Sequence, residues 1–127
     1  MKISAENMMA VNGVFQNLAN EKMTVRLAYT IQKWCKSVES DVAFFGKKLT
    51  EIVSEFAERD ENGNPVSKNG GLVIMQEKRS ECEKALKELR EMEIEVPDVR
   101  LTLEDLAPLS MTPQQISAID PILEVEE

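Results

Sequence analysis

An unbroken heptad pattern constrains the fold of this chain more than any other feature. After Thr24, a good N-cap residue, apolar side chains recur at alternating spacings of three and four residues. These nine seam positions are Ala28, Ile31, Cys35, Val38, Val42, Phe45, Leu49, Ile52 and Phe56. Four such heptads predict a coiled-coil-like helix over residues 25–59. At about 1.5 Å per residue this helix is roughly 52 Å long, so it needs partners along its length.

Two shorter helices are expected to cover the long one. Ser4 is a good N-cap residue, and an apolar stripe at helical spacing predicts a first helix over residues 4–20. Breakers rich in asparagine and glycine predict a turn or short β-ribbon over residues 60–74. A third helix over residues 75–92 should then fold back antiparallel against the second half of the long helix.

The C-terminal part of the chain mixes strand and helix signals. Residues 93–103 alternate apolar and polar side chains, which is typical of a strand. A capping-box signature beginning at Thr112 predicts a short helix over residues 113–119, and residues 124–127 are expected to fray. A length of 127 residues predicts a single domain, 1–127.

The expected fold class is therefore mainly α. It consists of a long helix in an antiparallel coiled-coil-like hairpin and a three-helix core, with a small β element and a short C-terminal helix.

The residue types on which many enzymes and metal sites depend are scarce. The chain has no histidine, and its two cysteines, Cys35 and Cys82, lie far apart, so the usual general base and a zinc-ligand pattern are missing. The acidic loop at residues 60–64 is not a calcium loop, because Gly71 stands where a glutamate is required. We expect no enzymatic activity, no metal and no cofactor. The nineteen acids of residues 50–127 could in principle form a paired-carboxylate site, and a hydrolase is the remote alternative.

The number of cysteines and the hydropathy of the chain indicate the cellular compartment. The chain opens without the apolar run of a signal peptide, and no segment approaches the length of a membrane span. We therefore expect a cytosolic protein without a membrane partner, whose thiols are reduced. Cys35 and Cys82 both fall on helical seams, which predicts that both are small buried apolar groups rather than reactive thiols.

The charge is distributed unevenly along the chain. Residues 1–49 carry seven Lys or Arg and four Asp or Glu, a net +3, whereas residues 50–127 carry eight and nineteen, a net −11. A polyanion would meet the acidic half, so general nucleic-acid binding is not expected. The nine seam positions also exceed what two shorter helices can cover, which predicts a homo-oligomer, most simply a two-fold dimer.

A second pattern on the long helix marks the candidate binding residues. If the helix extends back to residue 22, a basic line with one aromatic side chain lies along one face. Its members are Lys22, Arg26, Tyr29, Lys33 and Lys36. Such a line suits a phosphate, an acidic peptide or a stacked base. Alternatively it is the solvated flank of a coiled coil, or it meets the acidic C-terminal part of a neighbouring copy.

Four segments carry a family resemblance. They are Val25-Arg26-Leu27-Ala28-Tyr29-Thr30-Ile31-Gln32-Lys33, Phe56-Ala57-Glu58-Arg59-Asp60-Glu61-Asn62-Gly63-Asn64-Pro65, Glu93-Ile94-Glu95-Val96 and Met111-Thr112-Pro113-Gln114-Gln115. In this order they resemble a group of small proteins encoded by phages and prophages of Gram-positive bacteria. The resemblance implies a phage gene, and it brings no activity that could be assigned to a residue.

Together these observations favour a non-enzymatic, phage-type interaction protein that acts through helical surfaces as a homo-oligomer. Its other partners would be a second phage protein or a host defence protein, met in the bacterial cytoplasm or in the virion. The alternative is an anti-defence protein. In that role it would be either an acidic DNA mimic that inhibits a host nuclease or a sponge that holds a nucleotide.

Overall fold

The computed structural model describes residues 1–124 and is mainly helical, which confirms the predicted fold class. Three helices carry most of the chain. They are α1 (Ala5–Asn17), α2 (Val25–Phe56) and α3 (Arg79–Glu91). No helix in the described part of the chain is long and apolar enough to cross a membrane.

The small elements are strands, 3₁₀ turns and two short helices. The strands are β1 (Lys2–Ser4), β2 (Ser67–Lys68), β3 (Gly71–Leu72), β4 (Glu93–Glu95), β5 (Leu101–Thr102) and β6 (Leu123–Glu124). The short helices are α4 (Leu103–Leu106) and α5 (Pro113–Ala118), and 3₁₀ turns cover Gln76–Lys78 and Asp120–Ile122. Of the predicted frayed tail, Glu124 pairs in β6 and residues 125–127 lie outside the described residues.

The described chain forms two compact units. The first unit contains Met1–Val42 and the chain from Glu93 onward, and the second unit contains Ala43–Met92. Helix α2 contributes its N-terminal part to the first unit and its C-terminal part to the second.

Local chemistry explains where α2 begins and ends. The Thr24 hydroxyl accepts a hydrogen bond from the Leu27 N–H at 3.2 Å, which satisfies one of the open donors of the first turn. At the other end the helix stops at Phe56 rather than near residue 59. The next residues leave the helix because the Glu58 N–H donates to the Val73 carbonyl at 2.7 Å and Ala57 bridges Ile74.

The second unit is an antiparallel helical hairpin closed by a short ribbon, as predicted. β2 and β3 pair across the two residues Asn69 and Gly70, whose φ angles of 53° and 82° are those of a tight hairpin turn. In the preceding loop the Asp60 carboxylate accepts hydrogen bonds from the N–H groups of Asn62 and Asn64, both at 2.9 Å. These bonds make this acidic segment a turn, as the sequence indicated.

In the first unit, the N-terminal segment joins the chain from Glu93 onward through the β1–β4 sheet and a contact between α1 and α5, while the β5–β6 sheet lies within the C-terminal segment. β1 pairs antiparallel with β4, β5 pairs parallel with β6, and α5 packs on α1. The short helix α4 was not predicted: Leu103 was assigned to the strand-like stretch 93–103, and residues 104–106 were assigned to no element. A capping box between Thr102 and Asp105 starts this helix where the strand signal ends.

The buried face of α2 differs from the predicted seam. Ile31, Val38 and Phe45 are buried, as predicted, but Ala28 is exposed and Leu49 is 43% exposed, so the prediction was wrong at both positions. Leu27 and Trp34, which lie beside the seam, are buried instead. The reason is that a straight helix drifts by about 20° per heptad relative to a strict seven-residue repeat, so one seam cannot face the core over four heptads.

Candidate functional site

The first unit contains an open groove between α1 and the N-terminal part of α2. It encloses about 670 Å³. Its walls come from the two helices and from the loop that joins them. The lining residues are Asn12, Phe15, Gln16, Leu18, Ala19, Glu21, Met23, Ala28, Ile31, Gln32, Cys35, Lys36, Glu39 and Val42.

The floor of the groove is apolar. Phe15, Leu18 and Ile31 are buried beneath it, while Ala28 is exposed and Cys35 and Val42 are half-buried along the α2 wall. Ala28, Cys35 and Val42 follow one another at seven-residue intervals. The structure therefore divides the predicted seam into alternate positions: Ile31 and Val38 enter the core, and these three face the groove or its edge.

The rim of the groove is polar and carries both charges. Gln32, Lys36 and Glu39 line it from α2, and all three are exposed. Asn12 and Gln16 line it from α1. An apolar floor with a mixed polar rim is the surface on which an amphipathic helix docks. A small apolar ligand is the other class that such a concavity fits.

The Cys35 thiol lies in the groove wall, but it is a poor nucleophile. It is a free thiol and half-buried, whereas the sequence predicted a buried side chain. Burial raises the pKa of the Cys35 thiol, so the thiol stays protonated at neutral pH, and the thiolate is the reactive form.

Cys82 belongs to the second unit and is also free, so the predicted absence of a disulfide is confirmed for both cysteines. It is buried, as predicted. Burial first and the neighbouring Glu83 second raise the pKa of the Cys82 thiol. It lines a smaller cavity of about 450 Å³ between the ribbon and α3.

The predicted basic line is only partly a helical stripe. Arg26, Tyr29, Lys33 and Lys36 are exposed on α2, with Tyr29 at 63% exposure. Lys22 lies in the loop before α2, because Thr24 caps the helix and Val25 begins it, as predicted, so the condition under which Lys22 would join the stripe is not met. Of the five residues, Lys36 lines the groove.

Arg26 has a charged neighbour within the first unit. The backbone N–H of Thr102 donates to Oδ2 of Asp105 at 3.0 Å, and this bond lowers the pKa of the Asp105 carboxyl below its ordinary value. The Thr102 hydroxyl and the positive charge of Arg26 lower that pKa further. Burial of the carboxyl opposes these effects, and the charge of Arg26 is the smallest of them.

Two parts of the site were missed from the sequence. The α1 wall of the groove was not predicted, because the stripe of α1 was interpreted only as core. Trp34, which anchors α2 in the first unit, was also missed. Its spacing was a usable signal, because Leu27, Ile31, Trp34 and Val38 follow one another at the seam spacings of four, three and four residues. A search for a second apolar register beside the first would have found it.

In residues 1–124 no group of three or more Cys, Asp or Glu side chains is placed to hold a metal ion. No protein-family model, curated protein or solved structure matches this chain.

Proposed function

We propose that this protein is a non-enzymatic interaction protein of the phage type that it resembles, and that its groove holds an amphipathic helix of a partner protein. The observation that carries the proposal is the division of the α2 seam. Ala28, Cys35 and Val42 recur every seven residues along an open groove instead of entering the core.

The dimensions of the groove suit a short helix. Ala28 and Val42 are fourteen residues apart on α2, which corresponds to about 21 Å along the axis. A docked helix of about four turns would span that length. Its apolar side chains would pack between Ala28, Cys35 and Val42 as knobs pack into holes, above the buried ring of Phe15.

The charges beside the groove specify the partner further. Lys36 lines the α2 rim, and Tyr29 and Lys33 continue from it on the outer side of the same helix. A partner helix with an acidic flank on this side would meet two ammonium groups. Such rim charges steer association and set orientation more than they add affinity.

A non-enzymatic role is supported by the chemistry of the side chains. The chain has no histidine, and burial raises the pKa of the groove thiol, Cys35, away from the range of a nucleophile. On the resemblance to phage proteins, the site of action would be the host cytoplasm or the virion, and the partner would be another phage protein.

The proposal is tested by purifying the tagged full chain from infected cells. Ala28→Glu places a charge on the α2 wall of the groove at an exposed helix position and should abolish capture of the partner. Ala43→Glu is the matched control, because Ala43 is an exposed alanine on the same helix outside the groove; it should leave capture unchanged. The captured protein, purified separately, should bind the wild-type chain and should not bind the Ala28→Glu variant.

The same experiment distinguishes the anti-defence alternatives. Capture of a host nuclease by wild type and by Ala28→Glu alike would overturn the groove proposal and favour an acidic mimic acting through the C-terminal carboxylates. A nucleotide released on denaturation, seen by its ultraviolet absorbance and identified by mass spectrometry, would favour the sponge. Equal capture of a phage protein by both variants would also overturn the groove as the binding site.

A further inference from the structure

The second unit buries very little apolar surface for its length. Ala43–Met92 contains three buried apolar side chains, namely Phe45, Ala57 and Cys82. All residues of this unit are described. Units of about fifty residues are marginally stable even with a full core, so three buried side chains indicate that the core of this hairpin is incomplete.

The apolar side chains that would complete that core are present and accessible. Phe44 is 49% exposed, Leu49 is 43% exposed and Met92 is 49% exposed. Ile52, Val53, Phe56, Leu86 and Leu89 are half-buried. Two helices form a single layer, and a stable helical domain packs a second layer against it. We call the surface formed by these eight side chains the open face of the hairpin. Two further helices packed on it would supply that second layer.

Net charge indicates which partner fits this face. The second unit carries nine Lys or Arg and ten Asp or Glu, a net −1, whereas the first unit carries six and thirteen, a net −7. Two copies that meet through their second units bring together nearly neutral surfaces. Contact through the first units would set two strongly acidic surfaces against each other.

The charge order along α2 also matches an antiparallel copy. In the second unit, the basic residues of α2 come first, Lys47 and Lys48, and its acidic residues follow, Glu51 and Glu55. A two-fold axis across this part of the helix sets the basic end of each copy beside the acidic end of the other. Opposite charges paired in this way fix the direction of a helical contact.

We propose that a second copy of this chain covers the open face of the hairpin and completes a four-helix assembly. Such bundles bury apolar positions from all four helices, and a two-fold dimer is the simplest way to supply the missing pair. The inference rests on the proposed function in that the protein works through helical surfaces, but it concerns the second unit and not the groove.

Sedimentation velocity of the full chain gives the first test. At micromolar concentration and low salt the species should have twice the 14.3 kDa mass of one chain, and rising salt should weaken association because the paired charges are screened. A monomer under these conditions would overturn the inference. Capture of a partner in the groove by that monomer would leave the proposed function standing.

Cross-linking locates the interface without any substitution. Chains of natural and heavy isotopic composition are mixed, exchanged and treated with a reagent that joins amines directly to carboxylates. Lys47 or Lys48 of one copy should link to Glu55 of the other, in mixed-isotope products. The Lys48–Glu51 ion pair, 3.3 Å within one chain, is the internal control. Mixed-isotope links confined to residues of the first unit would place the interface elsewhere and overturn the inference.

Two variants complete the test. Leu49→Glu puts a charge on the open face and should weaken dimerisation at least tenfold, with the helical content unchanged by circular dichroism. Leu103→Glu is the matched control, because Leu103 is 51% exposed on α4 in the first unit, and it should dimerise like wild type. If Leu49→Glu fails to fold, the cross-links of the wild-type chain show whether the interface lies on the open face. Equal dimerisation of the two folded variants would overturn the inference.

Discussion

Trp34 anchors the first unit. Its side chain has no exposed surface, and its ring meets that of Phe15 edge to face with 5.3 Å between centroids. Among the described atoms its indole N–H has no hydrogen-bond partner, which costs on the order of 1–3 kcal/mol. Packing of the large ring must outweigh that cost. The Trp34 side chain therefore packs in the core and is not accessible to a partner.

Burial at single positions of α2 can be tested with two valines. Val38 is fully buried and Val25 is 85% exposed. Val38→Ala removes two buried methyl groups and leaves a cavity, so it should lower the free energy of unfolding by about 2 kcal/mol. Val25→Ala should change it by less than about 0.5 kcal/mol. Urea unfolding followed by circular dichroism measures both, and equal effects would contradict this assignment of the core face.

At the scale of elements, caps decide where the short helices form. Thr112 and Gln115 close a capping box at α5, as the sequence predicted, with bonds of 2.8 and 3.2 Å. Thr102 and Asp105 close a second box at α4. A helix of four residues has too few internal bonds to form by itself, so α4 depends on this cap and on the burial of Leu106.

The α4 cap should make stability depend on pH in the acid range. Because hydrogen bonds lower the pKa of Asp105 in the folded state, its ionised form stabilises the fold above the unfolded value of about 3.9. That contribution is lost as pH falls through the lower, folded pKa. Asp105→Ala removes the N3 hydrogen bond of the capping box and should therefore cost about 1 kcal/mol near neutral pH, and the difference from wild type should shrink in acid.

Urea unfolding at a series of pH values measures this difference. Glu104→Ala is the control for a substitution in the same turn, since the Glu104 side chain is exposed and takes no part in the box; its effect on the free energy of unfolding at neutral pH should be small. A constant difference between Asp105→Ala and wild type from neutral pH down to acid would rule out the cap as its source.

At the scale of the whole molecule, one helix serves two units. The N-terminal part of α2 supplies Leu27, Ile31 and Trp34 to the core of the first unit, and its C-terminal part supplies Phe45 to the second. The second unit buries three apolar side chains in all. Within one chain its α2 segment therefore has few buried contacts of its own, and it is continuous with a helix whose other end is well packed.

This continuity predicts a single unfolding transition for the chain. Trp34, the one tryptophan of the sequence, reports on the first unit, while circular dichroism reports on all helices. The two signals should change at the same urea concentration, as two-state unfolding requires. Val38→Ala, which lies in the first unit, should shift both midpoints together. A separate circular dichroism transition that Val38→Ala leaves in place would show that the hairpin unfolds independently.

The sequence predicted the elements better than it predicted their faces. The hairpin, the ribbon and the short C-terminal helix are where their breakers and caps placed them, but α1 ends at Asn17 rather than near residue 20, and α4 was missed. Of the residues that line the groove, Lys36 belonged to the basic line predicted from spacing. The groove itself was not predicted, because its second wall is α1. No local pattern in either helix indicates how α1 and α2 approach each other.

Local backbone chemistry determined what the sequence could state by itself. A threonine oxygen at position 24 caps a helix, and Asn69-Gly70 turns a ribbon, wherever these residues occur in a chain. Only the tertiary structure decided which side of α2 is buried. Ile31 and Val38 belong equally to the register with Ala28 and Cys35 and to the register with Leu27 and Trp34. The two registers alternate the same spacings of three and four residues. Which register is buried therefore depends on where the rest of the first unit packs against α2. That packing buries Trp34 and leaves Ala28 exposed.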